Sequence, residues 1–250
     1  MSYITKITIL GERCSGTNYL EQLIKKNLNI EITWQYGHKH FFGFSDYNDS
    51  DHVLFIGIYR NLIDWLNSIY IDNYHLADHL RKNKGCSPED FLIKECYSYY
   101  DAIESPTRGD EIMNDRNINT KDRYKNLLEL RAIKMNFLVN DMKNKVKNYL
   151  LTSYEGLVNN WFSFILNIHK QFNIPLLNTH PLNHEFYKNN NSNYKDVKKK
   201  KLVFDYKMVK YNNFYNEEIE KMVGYKYSDN DNKDKHNKNK HNKNKHKKNK

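Results

Sequence analysis

"ILGERCSGTNYLEQLI", residues 9–24, decides how this chain is read. The stretch runs from the end of an apolar segment, through a turn bracketed by Gly11 and Gly16, into a helical pattern of Leu20, Leu23 and Ile24. Strand, glycine turn and helix in that order make an anion cradle. The first N–H groups of a helix lack backbone partners and lie at the positive end of its dipole. The spacing of Gly11 and Gly16 fits the nucleotide phosphate loop GxxxxGK[ST], but Thr17 stands where the lysine belongs.

Working outward, Ile4 to Leu10 is β-branched and apolar, the mark of a buried strand. Ile30 to Tyr36 is expected to form a second short strand, and "HVLFIGIY", residues 52–59, a central one. Asn61 is placed to cap a following helix, with Asp64 three residues on, and that helix is expected to run to about Leu80. Further helices are expected over Pro88 to Tyr100, Leu127 to Val146, residues 158–172 and Asn216 to Val223, the last stopped by Gly224. Residues 148–157 predict another strand before the 158–172 helix, and the polar stretches 105–122 and 178–200 predict surface loops. Strands alternating with helices predict an α/β fold, a three-layer α/β/α sandwich around a mainly parallel sheet. Ligands bind such sheets at the carboxyl ends of the strands. Arg13, Arg60 and Tyr154 all follow predicted strands and are expected to converge on one crevice.

The chain is basic, with a net charge of +10, but residues 229–250 hold nine lysines against three aspartates and so carry +6 of it. That tail repeats HNKNK and has no apolar residue, which predicts a disordered Asn/Lys/His-rich extension behind one domain over 1–228. Basicity held largely in a tail predicts non-specific contacts with nucleic acid at most. Three cysteines without paired spacing predict free thiols in a reducing compartment. The N-terminus has no signal-peptide pattern and no apolar run approaches ~18 residues, so a soluble cytoplasmic protein is expected, away from membranes.

The loop lacks two parts of a nucleoside triphosphatase: the lysine, and the aspartate that would hold Mg²⁺ at the end of the central strand, where Tyr59-Arg60 stands instead. Arg13 inside the loop, with donors on Ser15, Thr17 and Asn18, predicts an anion held without a metal. Cys14 is not a phosphatase nucleophile, since the arginine of a CxxxxxR loop would fall at Leu20. A second anchor is "YRNLIDWLNSIY", residues 59–70, which sets Arg60 at a strand end and Ser68 eight residues later.

At these two motifs the chain resembles the sulfotransferases that use 3′-phosphoadenosine-5′-phosphosulfate (PAPS), which have a P-loop-like nucleotide-binding fold. Their 5′-phosphosulfate loop, x-[KR]-x-SGT-x-x-L, is matched by Glu12 to Leu20, and their 3′-phosphate motif by Arg60 and Ser68. A third motif, Tyr-Glu-Asp-Leu, is matched by Tyr154-Glu155-Gly156-Leu157 apart from Gly156. The likeness covers residues 4–70 well and 148–160 fairly. The Arg-Lys-Gly loop that closes over the 3′-phosphate in cytosolic members has no counterpart, although the basic run at Lys198 to Lys201 could stand in.

The resemblance implies PAPS as sulfuryl donor, 3′,5′-adenosine bisphosphate (PAP) as product, and no required metal. It implies that Arg13, Cys14, Ser15, Gly16, Thr17 and Asn18 cradle the 5′-phosphosulfate, that Arg60 and Ser68 hold the 3′-phosphate, and that Tyr154 meets the adenine. Arg13 would also stabilise the leaving phosphate. Glu12 is expected to point away from the anion. An acceptor hydroxyl needs a base, and "YGHKHFFGF", residues 36–44, offers His40 first and His38 second, with Lys39 beside the sulfuryl group. Arg131 and Lys134 are read as solvated charges on a helix face, and Glu155 as strand-end scaffold. The expected acceptor is a small molecule or carbohydrate with a hydroxyl or amine. Two other readings stand beside this one: a divergent P-loop kinase or NTPase, and a non-catalytic polyanion-binding protein acting through the tail.

Overall fold

The computed structural model describes residues 3–102, 106–184 and 202–227. Four strands, β1 (Lys6–Leu10), β2 (Glu31–Ile32), β3 (Val53–Tyr59) and β4 (Asn148–Ser153), form one all-parallel sheet in the order β2-β1-β3-β4. β1 and β3 pair from Lys6 with Val53 to Leu10 with Gly57. From this central pair the chain moves outward to β2 on one side and β4 on the other. The crevice beyond the carboxyl ends of β1 and β3 is therefore the topological switch point.

Strand alternation sends successive side chains to opposite faces. Ile7, Ile9, Leu54, Ile56 and Ile58 pack with Tyr19, Leu20, Leu23 and Ile24 of α1 (Thr17–Asn27) and with Leu157, Ile165 and Ile168 of a later helix, residues 154–172. Leu10, Val53 and Phe55 face the other way, onto Phe42, Phe137, Leu138 and Met142. The sheet thus has helices on both faces, the α/β architecture that the alternating pattern predicts.

Several boundaries differ from the sequence reading. The second strand is two residues long rather than spanning Ile30 to Tyr36: after Thr33 N–H reaches Ile7, a turn closes from Trp34 to Gly37. Helix α2 (Leu62–Ile69) is capped by Asn61, which accepts from the N–H groups of Ile63 and Asp64, but stops well short of Leu80. The Ser68 carbonyl receives both Ile71 and Asp72, and His75 takes a left-handed φ of 66°. Leu76 and Leu80 still join the core, Leu76 from an antiparallel bridge to Ser98 and Leu80 from a 3-10 helix, Asp78–Leu80. Helix α3 (Pro88–Ile93) ends before Tyr100 because residues 96–100 run extended, with Cys96 and Tyr124 exchanging both backbone hydrogen bonds.

The long helix divides into α4 (Leu127–Asn136), a π turn at Phe137–Asp141 and α5 (Met142–Lys145). Helix α6 (Tyr154–Phe172) starts at once after β4 rather than at 158, since Ser153 Oγ caps it by accepting from Gly156 N–H. A kink at Asn160, φ −128° and ψ 28°, lies near the expected start. Two short helices, α7 (Tyr206–Val209) and α8 (Glu217–Met222), close the described chain, with Gly224 at φ 86° after the second. No described helix is long and apolar enough to cross a membrane. The 229–250 tail and Lys198 to Lys201 lie outside the described residues.

Candidate functional site

The loop after β1 is pinned from three sides. Gly11 N–H donates to Lys39 O at 2.8 Å, Trp65 Nε1 of α2 donates to Arg13 O at 2.8 Å, and Arg60 Nη1 donates to Cys14 O at 3.1 Å. Cys14 takes a left-handed φ of 62°, and Gly16, the N-cap of α1, a φ of 94° with no side chain capping the helix. A Cβ on Gly16 would fall 2.3 Å from Cδ2 of Tyr154, so only glycine lets the loop and that ring lie together. The exposed end of α1 is a place where an anion can meet unused helix donors.

Arg60, Ser68, Tyr154 and the loop do converge. The Arg60 guanidinium lies 4.9 Å from the Tyr154 ring centre, and the Ser68 side chain lies beside the Cys14 thiol and favours its ionised form. Burial foremost pushes that thiol up to about 11, so Cys14 is a neutral loop residue rather than a nucleophile. Burial also raises the Tyr154 phenol. Ser15 and Thr17 are buried in the loop, and Asn18 is exposed at the first turn of α1.

The turn that presents Arg60 is held by parts of the chain far away in sequence. Arg131 Nη2 donates to Arg60 O at 2.9 Å, Asn61 N–H donates to Glu155 Oε1 at 3.1 Å, and Leu62 N–H donates to the Tyr227 hydroxyl at 2.9 Å. Arg131 is itself paired with Glu220 of α8 through Nε at 2.6 Å and Nη2 at 2.9 Å. Glu155 accepts from the Tyr225 hydroxyl at 2.6 Å, so it is scaffold as expected.

Arg13 departs most from its expected role. It is 3% exposed, and its guanidinium is spent on Glu12 Oε1 (2.7 Å), Ser98 Oγ (2.6 Å) and Asp115 Oδ2 (2.9 Å). Lys134 completes the cluster, donating to Glu12, to Asp115 and to His40 O. Two cations and two carboxylates, all buried, form a neutral base under the loop. Arg13 therefore braces the loop rather than facing an anion. Lys134 and Arg131 are buried pairs rather than solvated charges, and Asp115 belongs to the core although the 105–122 stretch reads as surface loop. Glu12 does point away from the loop's open side. Desolvation would raise its pKa, but Arg13 and Lys134 together hold it well below the ordinary carboxylate range. Sequence reasoning missed Asp115 and Ser98 because a single acid in a polar stretch has no local mark of burial.

The 38–40 segment lies beside the loop. Lys39 Nζ donates to Asn18 Oδ1 at 2.6 Å and to Glu21 Oε2 at 3.0 Å, next to the start of α1. His40 Nδ1 lies 2.7 Å from Gly11 O, and since a carbonyl only accepts, Nδ1 carries the proton and Nε2 the lone pair. Desolvation lowers the His40 pKa well below its ordinary value. Desolvation, with Lys39 next, lowers His38 to about 4. Both rings pack with Phe41, at 6.3 and 5.1 Å between centres. Compared with protein-family models, curated proteins and solved structures, the chain matches none.

Proposed function

We propose that this protein is a sulfotransferase that transfers a sulfuryl group from PAPS to an acceptor hydroxyl or amine. The observation that carries the reading is the meeting of Arg60, Ser68 and Tyr154 on Cys14 and Gly16 of the phosphate loop. One permanent cation, one hydroxyl and one aromatic face beside an uncapped helix start suit an adenylate with two separate phosphates.

In this reading Ser15, Thr17, Asn18 and the first N–H groups of α1 take the 5′-phosphosulfate. Arg60 and Ser68 take the 3′-phosphate, and a guanidinium suits that task because its planar fork matches phosphate oxygens. Tyr154 offers its ring to the base. When bound, PAPS supplies a sulfuryl group with a good leaving phosphate. Lys39, held at the start of α1 by Asn18 and Glu21, is the cation assigned to charge building on the sulfuryl oxygens. Arg13 keeps the loop in shape from below. The acceptor's proton goes to an imidazole among those packed around Phe41.

The test is calorimetric titration with PAP in the absence of metal, with Mg²⁺-ATP as comparison. Metal-free PAP binding that Arg60→Ala abolishes is the expected result. Mg²⁺-ATP binding without PAP binding would replace this reading with a divergent kinase or NTPase. Polyanion binding lost on deleting 229–250, with neither nucleotide bound, would move the function to the tail.

A further inference from the structure

His75 lies outside every motif of the sequence reading, yet the fold treats it with unusual care. Its φ of 66° is a left-handed conformation that a non-glycine residue rarely adopts. Two neighbours hold it there: Tyr99, whose N–H donates to His75 O at 2.9 Å and whose carbonyl lies 3.3 Å from the ring Nδ1, and Asp101. Asp101 Oδ2 accepts from the His75 backbone N–H at 2.9 Å, while Oδ1 lies 3.0 Å from Nδ1 of the ring. Arg81 sits behind, donating from Nη2 to Asp101 Oδ2 at 3.0 Å and from Nε to Leu76 O at 2.7 Å. Strained backbone that several contacts over-determine is a common feature of functional sites.

The segment leading to His75 runs along the phosphate loop. Cys14 Sγ reaches Asp72 O at 3.5 Å, and Arg13 Nη1 reaches Tyr74 O at 3.5 Å. The His75 ring then packs edge-on against Phe41, 5.7 Å between centres, and the same Phe41 ring stacks with His38 at 5.1 Å. His75 keeps about a quarter of its side chain exposed, 27%. It is therefore an accessible imidazole at the rim of the loop, across Phe41 from the 38–40 segment.

We propose that His75, oriented by Asp101, is the general base that takes the proton of the acceptor hydroxyl, an assignment that rests on the sulfotransferase reading above. A carboxylate accepts from Nδ1–H and so leaves the lone pair on Nε2. It also offsets the positive charge that appears when the proton arrives. In the step, the acceptor oxygen bonds sulfur, its proton passes to His75 Nε2, and the bond from sulfur to the bridging phosphate oxygen breaks, leaving its electron pair on phosphate. The two histidines first singled out by sequence are poor bases, because desolvation holds both below their ordinary pKa. His40 instead ties the loop to its neighbour through Gly11 O. The charged and titratable groups around His75 are Asp101 and Arg81 behind it and His38 and Arg13 around Phe41. Arg13 is neutralised by its own carboxylates, so the surroundings of His75 are close to neutral and suit an uncharged hydroxyl acceptor.

The test uses the full chain as wild type, His75→Gln, Asp101→Asn and His40→Gln. Each is titrated with PAP and assayed for sulfuryl release from PAPS to water, methyl glucosides and 4-nitrophenol across pH. The imidazole nitrogen shifts of His75 are read in parallel. Expected for His75→Gln and Asp101→Asn are PAP affinities within about twofold of wild type, with a fall in turnover of ~10²-fold for His75→Gln; His40→Gln is expected to keep more turnover than His75→Gln. Asp101→Asn is expected to lower turnover and to move the imidazole nitrogen shifts of His75. Full turnover in His75→Gln overturns the proposal, as does a loss of PAP affinity that matches the loss of turnover. If wild type binds no PAP, the sulfotransferase reading fails and takes the base role with it. If wild type binds PAP but releases no sulfate, the nitrogen shifts decide: Nδ1–H in wild type, with shifts that move in Asp101→Asn, supports the dyad, and Nε2–H in wild type ends it.

Discussion

Arg60 donates from Nη1 to the carbonyl oxygen of Cys14 at 3.1 Å, which ties the chain leaving β3 to the loop leaving β1. The contact uses one of the five N–H donors of the guanidinium. The same group lies over Tyr154, and its own carbonyl is held by Arg131, so the fork is oriented from both ends.

That geometry makes charge alone insufficient. Arg60→Lys keeps a cation but loses the planar fork and the stacking surface. A charge-assisted hydrogen bond contributes ~1.5–3 kcal/mol, so PAP affinity should fall at least ~10-fold in Arg60→Lys and further in Arg60→Ala. Unfolding midpoints in urea should stay close to wild type for the lysine variant. Unchanged PAP affinity in Arg60→Ala would remove this residue from the site.

Gly16→Ala should damage the loop and the site together. The new methyl would lie 2.3 Å from the Tyr154 ring, on a backbone at φ 94°. Overpacking and left-handed strain each cost ~1–3 kcal/mol, visible as a lower urea midpoint with loss of PAP binding. Adding Tyr154→Ala should recover part of the stability, because the clash goes while the strain remains. It should not recover binding.

Lys134→Met tests the buried quartet. Glu12 and Asp115 would then share Arg13 alone, and breaking a buried pair by removing one partner costs ~3–5 kcal/mol. The urea midpoint should drop sharply. Combining Lys134→Met with Glu12→Gln should restore some of it, since one uncompensated carboxylate disappears. Additive losses in the double variant would contradict the pairing.

Acid should destabilise the fold in two stages. Desolvation holds His40 well below its ordinary 6.5, and Arg13 and Lys134 outweigh desolvation to hold Glu12 below its ordinary 4.5. In both cases the unfolded chain takes up its proton before the folded chain does as pH falls. The His40 contribution is whole above pH 6.5 and is lost as pH drops beneath it, and the Glu12 contribution follows below pH 4.5. Urea midpoints measured from pH 8 to 4 should be flat at first and then decline, and His40→Gln should lessen the first decline, to which His38 also contributes. A midpoint that rises between pH 6.5 and 5 would refute the His40 assignment.

The local parts of the fold were legible in the sequence. The strand-loop-helix of residues 4–27, the buried strand at 53–59, the Asn61 cap and the order of helices all rest on signals carried by neighbours within a turn or two. Arg60, Ser68 and Tyr154 could be selected because each follows such a signal at fixed spacing. Boundaries failed where hydrophobic spacing continued without α-helix: Leu76 and Leu80 keep the period of α2 but reach the core from a β-bridge and a short 3-10 helix.

The sequence by itself determined the α/β order, the glycine-bracketed loop at the head of α1, and the residues that leave the central strands, because backbone propensity and side-chain period are local properties. Only the tertiary structure decided what each charge does. Arg13 meets Asp115, Arg131 meets Glu220 and His75 meets Asp101 across long stretches of chain. An ion's role depends on which opposite charge shares its desolvated surroundings, and no spacing along the chain specifies that partner. The same pairing turned the loop's arginine inward and left Arg60 and Lys39 as the cations beside the start of α1.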